Sequence, residues 1–182
     1  METKAEKRTK WSVDPTHSEV GFKVRHMMIT NVSGAFEKFD AEVETDGDDF
    51  TTAVIKFTAD TDSITTYNTD RDTHLKSGDF FDASKYPQIK FVSTRFEKKG
   101  DQDYVLHGDL TIGAVTKPLV FDVEFGGIGK DPWGNEKAGF TLSGKLNRTD
   151  FNLNWNAALE TGGVLVSEDV KLLAEIQVVK KG

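Results

Sequence analysis

The sequence predicts an all-β protein: an eight-stranded antiparallel barrel with a short helical insert between the third and fourth strands. Three observations lead there. Apolar residues alternate with polar ones along most of the chain, the period of strands with one wet face. Hairpin-length turns join the alternating runs. Only residues 71–87 abandon the alternation and gather basic, acidic and aromatic side chains in one stretch.

A chain of 182 residues, 37% of them hydrophobic, suffices for one domain with a full core. Residues 1–10 are charged and read as a flexible N-terminal tail, with residues 11–182 as the single barrel domain. The formal net charge of −7 repels phosphate backbones and anionic lipid surfaces, so no nucleic-acid partner is expected and a small or hydrophobic one is favoured. The absence of cysteine excludes disulfides, thiolate metal sites and a cysteine nucleophile. The first ten residues contain no apolar signal-peptide core, and no run is long enough to span a membrane. A cytoplasmic location is the expectation.

Strand structure is expected from Trp11. Val20, Phe22 and Val24 alternate with polar neighbours, and Val32, Gly34 and Phe36 continue on even positions, whereas Phe39, Ala41 and Val43 are odd. A β-bulge at Glu37-Lys38 absorbs the odd residue and bends the strand, as barrel closure requires. After an acidic turn over residues 44–49, Ala53, Ile55, Phe57 and Ala59 alternate again. In the next strand Ile89 and Phe91 are odd while Val92 and Phe96 are even, which predicts a strand apolar on both faces. Residues 98–101 turn the chain into Tyr104, Leu106, Gly108, Leu110 and Ile112, and Gly113-Ala114 turns it back into Leu119, Phe121, Val123 and Phe125. Residues 126–134 read as a loop. Ala138, Phe140, Leu142, Gly144 and Leu146 alternate before residues 147–150 break the pattern. A Gly162-Gly163 pair precedes Val164 and Val166, and Val170, Leu172, Ala174, Ile176 and Val178 form the last strand. Strand counting alone leaves a two-sheet sandwich as the alternative; the bulge and the inward glycines Gly34, Gly108 and Gly144 favour the barrel.

The insert reads as a plug. Asn68 or Thr69 caps a helix, Asp70 and Asp72 suit its first turn, and Asp72 stands four residues before Lys76 as an ion pair. Gly78 ends the turn, Phe80, Phe81 and Tyr86 form a bulky apolar group, and Pro87 forces the chain extended.

Several stretches resemble the YceI-like polyisoprenoid-binding family. They are Asp14 and His17-Ser18, Gly34-Ala35-Phe36, Arg71-Asp72 with His74-Leu75-Lys76-Ser77 and Asp79-Phe80-Phe81, Lys85-Tyr86-Pro87, residues 108–112, residues 115–118 and residues 131–134. The resemblance covers residues 11–179. It implies a lipocalin-like barrel that binds a long isoprenoid or other lipid in an apolar channel without catalysis and without a cofactor. Dimers are common in that family, which makes a homodimer an expected partner state. Many of its members carry a signal peptide and are periplasmic, a feature the first ten residues do not show.

The candidate ligand-binding residues fall into two groups. Phe22, Phe36, Phe57, Phe80, Phe81, Phe91, Phe121, Phe125 and Phe140 would line the channel, or simply fill the barrel. The excess of 13 Phe over 3 Tyr favours a channel, because a dry lumen gives a Tyr hydroxyl no partner. Arg71 and His74, three apart on a helix, could share one anion such as a diphosphate head group. The alternative pairs Arg71 with Asp79 or Asp82 and bonds His74 to the backbone. His17, His26 and His107 lack metal-ligand spacing and read as structural, and no metal site is expected. The function expected is non-catalytic binding, storage or transport of a polyisoprenoid or similar long-chain amphiphilic lipid. The alternatives are an enzyme that acts on an isoprenoid diphosphate, using Asp70, Asp72 and Asp79 to hold magnesium, and a ligand-free, stress-related structural protein.

Overall fold

The computed structural model describes residues 8–157 and 165–181. Residues 1–7 of the expected tail, the Gly162-Gly163 pair and Val164 lie outside the described residues. Eleven strands form one antiparallel sheet: β1 (Thr9–Val13), β2 (Glu19–His26), β3 (Thr30–Phe36), β4 (Phe39–Asp46), β5 (Asp49–Asp60), β6 (Ile64–Thr65), β7 (Gln88–Lys98), β8 (Asp103–Ile112), β9 (Val115–Lys130), β10 (Glu136–Asn147) and β11 (Val166–Lys180). One helix, α1 (Thr69–Lys76), lies between β6 and β7.

The strand order β1-β4-β5-β7-β8-β9-β10-β11 closes on itself, because β1 pairs with β4 on one side and with β11 on the other. The remaining strands extend three of these eight staves beyond a kink. β2 follows β1 along the same partner, β11; β3 precedes β4; and β6, paired with β3, follows β5. The barrel therefore has the eight strands expected, and the bend at Glu37-Lys38 separates β3 from β4 where the parity of the apolar residues changes. The kinks are tied together: Asp60 donates its N–H to the Lys38 carbonyl (2.9 Å) and Glu37 donates to the Ser63 carbonyl (3.1 Å).

The kink between β1 and β2 is held by Asp14. One carboxylate oxygen accepts from the Thr16 amide (3.1 Å) and hydroxyl (2.7 Å), while the other meets His17 Nδ1 (2.9 Å) and Lys137 Nζ (3.2 Å). The Thr16 hydroxyl, then His17 and Lys137, hold its pKa well below the ordinary 3.8.

Beyond the kinks β7 starts only at Gln88, opposite Asp60, and α1 with residues 77–87 fills the opening left between the staves. Asn68 caps the helix by accepting from the Arg71 amide (3.0 Å). The following coil turns back on itself, with Phe81 N–H on the Leu75 carbonyl (3.0 Å) and Ala83 N–H on that of Lys76 (2.9 Å).

At the β1 seam Trp11 is 1% exposed and donates its indole N–H to Thr45 Oγ1 (2.9 Å). It begins a cluster of buried and half-buried rings that closes this end: Phe50 lies 5.0 Å from Trp11 and 5.0 Å from Phe140, Phe125 stacks on Phe140 at 5.0 Å, and Phe96 stacks on Tyr104 at 4.9 Å. At the plug end the three-residue connection between β2 and β3 is Met27-Met28-Ile29, with φ of 54° and 62° at the two methionines. Both residues are left-handed, where Asn and Gly are the usual occupants.

Four expectations are corrected. Strand structure starts at Thr9 rather than Trp11, and Arg8 already donates to the carbonyls of Glu44 and Thr52. β7 is not apolar on both faces: a register shift between Ser93 and Arg95 reverses the parity, so Ile89, Phe91 and Phe96 all point inward while Val92 is 46% exposed. Residues 126–130 belong to β9, which absorbs an irregularity opposite Gly139/Phe140 and turns only after Lys130. Asp72 serves Thr66 instead of Lys76, accepting from its amide (2.7 Å) and hydroxyl (2.5 Å), while the Lys76 ammonium is 3.8 Å from Asp62. Among the described residues no helix is long and apolar enough to cross a membrane.

The inward glycines act as seats for aromatic rings. A Cβ at Gly34 would stand 2.3 Å from the tip of the Phe22 ring; one at Gly108 would meet Phe91 at 2.3 Å and the Val92 carbonyl oxygen at 2.6 Å. At Gly34 only a movable ring is in the way, whereas at Gly108 the obstacle includes backbone. Gly108→Ala is therefore expected to destabilise by about 2–3 kcal/mol and Gly34→Ala by about 1 kcal/mol or less in urea unfolding; equal losses would refute the distinction. Because the pKa of Asp14 is depressed, its stabilisation is complete above pH 3.8 and lost as pH falls below that value. Asp14→Asn should be less stable than the parent at neutral pH, and unfolding curves at successively lower pH should show the gap narrowing below about pH 4.

Candidate functional site

The barrel interior is not filled. A cavity of about 260 Å³ runs from Leu75, Phe80 and Phe81 of the plug to Phe50, Phe96 and Phe140 at the opposite end. Its wall is apolar almost throughout, and Arg148 is the one charged residue that contributes to it among the described residues. The inward side chains of β2, β10 and β11, among them Phe22, Leu142, Leu172 and Ile176, are half-buried rather than buried because they face this space.

Of the residues singled out in the sequence, Phe22, Phe36, Phe57, Phe80, Phe81, Phe91, Phe121 and Phe140 line the cavity. Several touch one another across strands: Phe22 lies 5.9 Å from Phe36, Phe36 stands edge-on to Phe81 at 6.0 Å, and Phe91 is edge-on to Phe121 at 5.5 Å. Phe125 does not line it. Its inward parity is as expected, but it lies past the end of the lumen, between Phe50 (5.5 Å), Tyr104 (5.9 Å) and Phe140.

Arg71 and His74 also stand outside the lumen, and the structure does not bring them onto a common point. Arg71 donates from Nε to the Thr66 hydroxyl (2.7 Å) and from Nη2 to the Thr66 carbonyl (2.7 Å), so neither Asp79 nor Asp82 is its partner. His74 pairs through Nε2 with Asp79 Oδ2 (2.8 Å) rather than with backbone, and its ring packs edge-on against Phe80 (5.1 Å) and Trp155 (4.7 Å). His17 sits on Asp14 and His107 Nε2 on Glu97 (2.8 Å). Among the described residues no three His, Asp or Glu side chains gather as a metal site.

Arg148 escaped the sequence reading. It is 4% exposed, and its guanidinium donates to four backbone carbonyls: Leu153, at 2.5 Å, and Trp155 (2.9 Å) from Nη1, Val166 (3.2 Å) from Nη2 and Ser167 (2.8 Å) from Nε. Burial pushes its pKa below the ordinary guanidinium value, opposed by Glu168. The parity of β10 held the signal, since Ala138, Phe140, Leu142, Gly144 and Leu146 run on to position 148. The guanidinium fastens the chain on either side of residues 158–164 to the end of the barrel, and almost no polar surface reaches the lumen.

An eight-stranded barrel around an apolar cavity, plugged at one end by a helix, defines a class of small-molecule binding barrels. A match to the YceI-like domain covers residues 11–178. A UPF0312 protein of Staphylococcus aureus is 41% identical over 170 residues, which are 93% of this chain and 96% of that one. The chain belongs to the YceI-like family. Among solved structures, the YCEI protein of Campylobacter jejuni is 35% identical with a TM-score of 0.76, over 93% of this chain and 96% of that one. A polyisoprenoid binding domain from Saccharophagus degradans shares the fold at 12% identity, with a TM-score of 0.65 over 94% and 98% of the two chains.

Replacing Arg148 leaves four carbonyls without their donor. Arg148→Leu should destabilise by about 3 kcal/mol or more, and Arg148→Lys should not restore the loss, because one ammonium cannot span the four acceptors. A melting temperature for Arg148→Leu equal to the parent's would exclude this fastening role.

Proposed function

We propose that the barrel binds a polyisoprenoid or similar long-chain amphiphilic lipid in its lumen, for storage or transport and without turnover. The observation that carries this reading is the cavity of about 260 Å³ with its apolar wall. An engineered apolar cavity of about 150 Å³ stays dry and takes up benzene, so a larger one offers room for a hydrocarbon chain. Burial of such a chain gains about 25 cal/mol for each Å² removed from water. The lumen gives a head group no polar partner, which puts the head at an end of the barrel and the chain inside. The polyisoprenoid binding of the Saccharophagus domain, which shares this fold, supports the same ligand class.

At the plug end a charged head would draw Arg71 from Thr66 and His74 from Asp79. Lipid uptake is followed through Trp155, which lies 5.6 Å from Phe80 of the cavity wall. Added long-chain isoprenols should change its emission, and organic extracts of freshly purified protein should contain a long-chain lipid. Leu142→Trp fills part of the lumen and should weaken uptake at least about tenfold with little loss of stability. Arg71→Ala with His74→Ala should weaken a diphosphate about tenfold and the uncharged alcohol of the same chain little. No emission change with any chain length, together with extracts free of lipid, would overturn the reading.

A further inference from the structure

The plug end carries a second feature that the lumen does not explain. Met27, Met28 and Ile29, at the tip of the β2–β3 hairpin, are 43%, 52% and 71% exposed. Their backbone is fixed: Met27 donates its N–H to the Leu165 carbonyl (2.8 Å), Arg25 Nη2 donates to the Met28 carbonyl (2.8 Å), and Ile29 donates to that of His26 (3.2 Å). Apolar side chains are thus presented to the outside on a left-handed turn that Asn and Gly would form with less strain. The tip also continues the cavity wall, since Val24, three residues before Met27, faces the lumen.

The outer face behind the tip is basic. Lys145, Lys171 and Lys23 stand directly opposite one another across β10, β11 and β2, and Arg25 follows on β2. Like charges in directly opposed positions weaken a sheet, so this row does not serve the barrel's stability. Lys145 is 3.3 Å from Asp169 of the neighbouring bulge, and the other carboxylate there, Glu168, lies near the Asn147 amide (3.4 Å). Among the described residues Lys23 and Lys171 make no ion pair. A basic row on a chain of net charge −7 is a strong local asymmetry.

The geometry points to an anionic lipid bilayer as the partner of this end, with Met27, Met28 and Ile29 entering the interface and Lys23, Arg25 and Lys171 meeting the headgroups. The lysine row lies about 13 Å behind Met27 along the strand, and an interfacial segment buries its apolar side chains by about 5–10 Å. The rest of the surface, net negative, is repelled, which orients the approach tip first. A bilayer is the source of the lipid that the lumen is proposed to hold, so this docking rests on that reading and would join the cavity to its supply.

Flotation with vesicles of phosphatidylcholine, alone and with phosphatidylglycerol added, tests it. The protein is expected to float with the anionic vesicles at low salt and to be released by high salt. Met27→Asn with Met28→Gly places favoured residues on the same turn, so melting temperature should hold or rise while vesicle binding falls roughly tenfold or more. Lys23→Ser with Lys171→Ser should cause a similar fall. Uptake of an isoprenol, read from Trp155 in the absence of vesicles, should be unchanged in both double variants. Flotation without isoprenol uptake by the parent would uphold the docking and remove the lipid-carrier reading; uptake without flotation would do the reverse. Equal flotation of parent and variants would overturn the docking, as would tip substitutions that change only self-association on size exclusion.

Discussion

The fold depends on the seam made by β1. A sheet with open edges exposes rows of unpaired N–H and C=O groups, and here five residues, Thr9–Val13, pair with β4 on one side and β11 on the other to remove both edges. Trp11 makes that short strand hold. Its buried indole bonds Thr45 on β4 and packs on Phe50 of β5, and the ammonium of Lys180 on β11 lies 5.3 Å over its ring. A closed ring of eight strands then fixes the bore, and with it how much space the inward side chains must fill.

They do not fill it. Phe22, Phe91 and Phe121 lie over Gly34, Gly108 and Gly144, so bulky rings rest against the wall and leave the axis open. The same residues packed across the axis would give a denser and more stable core. The two ends are closed by different means. Rings from Trp11 to Phe140 pack against one another at the β1 end and bound the cavity there. The other end is closed by separate pieces that pack on the barrel, namely α1 and the chain fastened by Arg148. Separately packed elements of this kind open at lower cost than strands within a closed ladder.

One patch of the surface runs against the overall charge. The overall charge is −7, yet Lys23, Lys145 and Lys171 are aligned across three strands behind the apolar tip. Composition averages over this asymmetry, because residues 23, 145 and 171 become neighbours only when β2 and β10 pair with the two edges of β11.

The sequence by itself determined the architecture. Period-two alternation, the parity change between Phe36 and Phe39 and the glycines at 34, 108 and 144 are local statements about strands, and local statements survive folding. The insert was legible for the same reason, since no strand pattern accommodates residues 71–87. Tertiary structure decided what parity cannot carry. A register shift in β7 turned Phe96 inward, and an irregularity in β9 moved the turn from residue 126 to residue 131. Phe125 stacks on Phe140 yet falls outside the cavity wall, because depth along the axis, unlike inward direction, depends on how far each strand runs past its neighbours. Arg71, His74 and Arg148 took partners that the turns of the folded chain bring to them: Thr66, Asp79 and the carbonyls of Leu153, Trp155, Val166 and Ser167. A polar side chain takes the partner that folding places within about 3 Å, and no period in the chain encodes that distance.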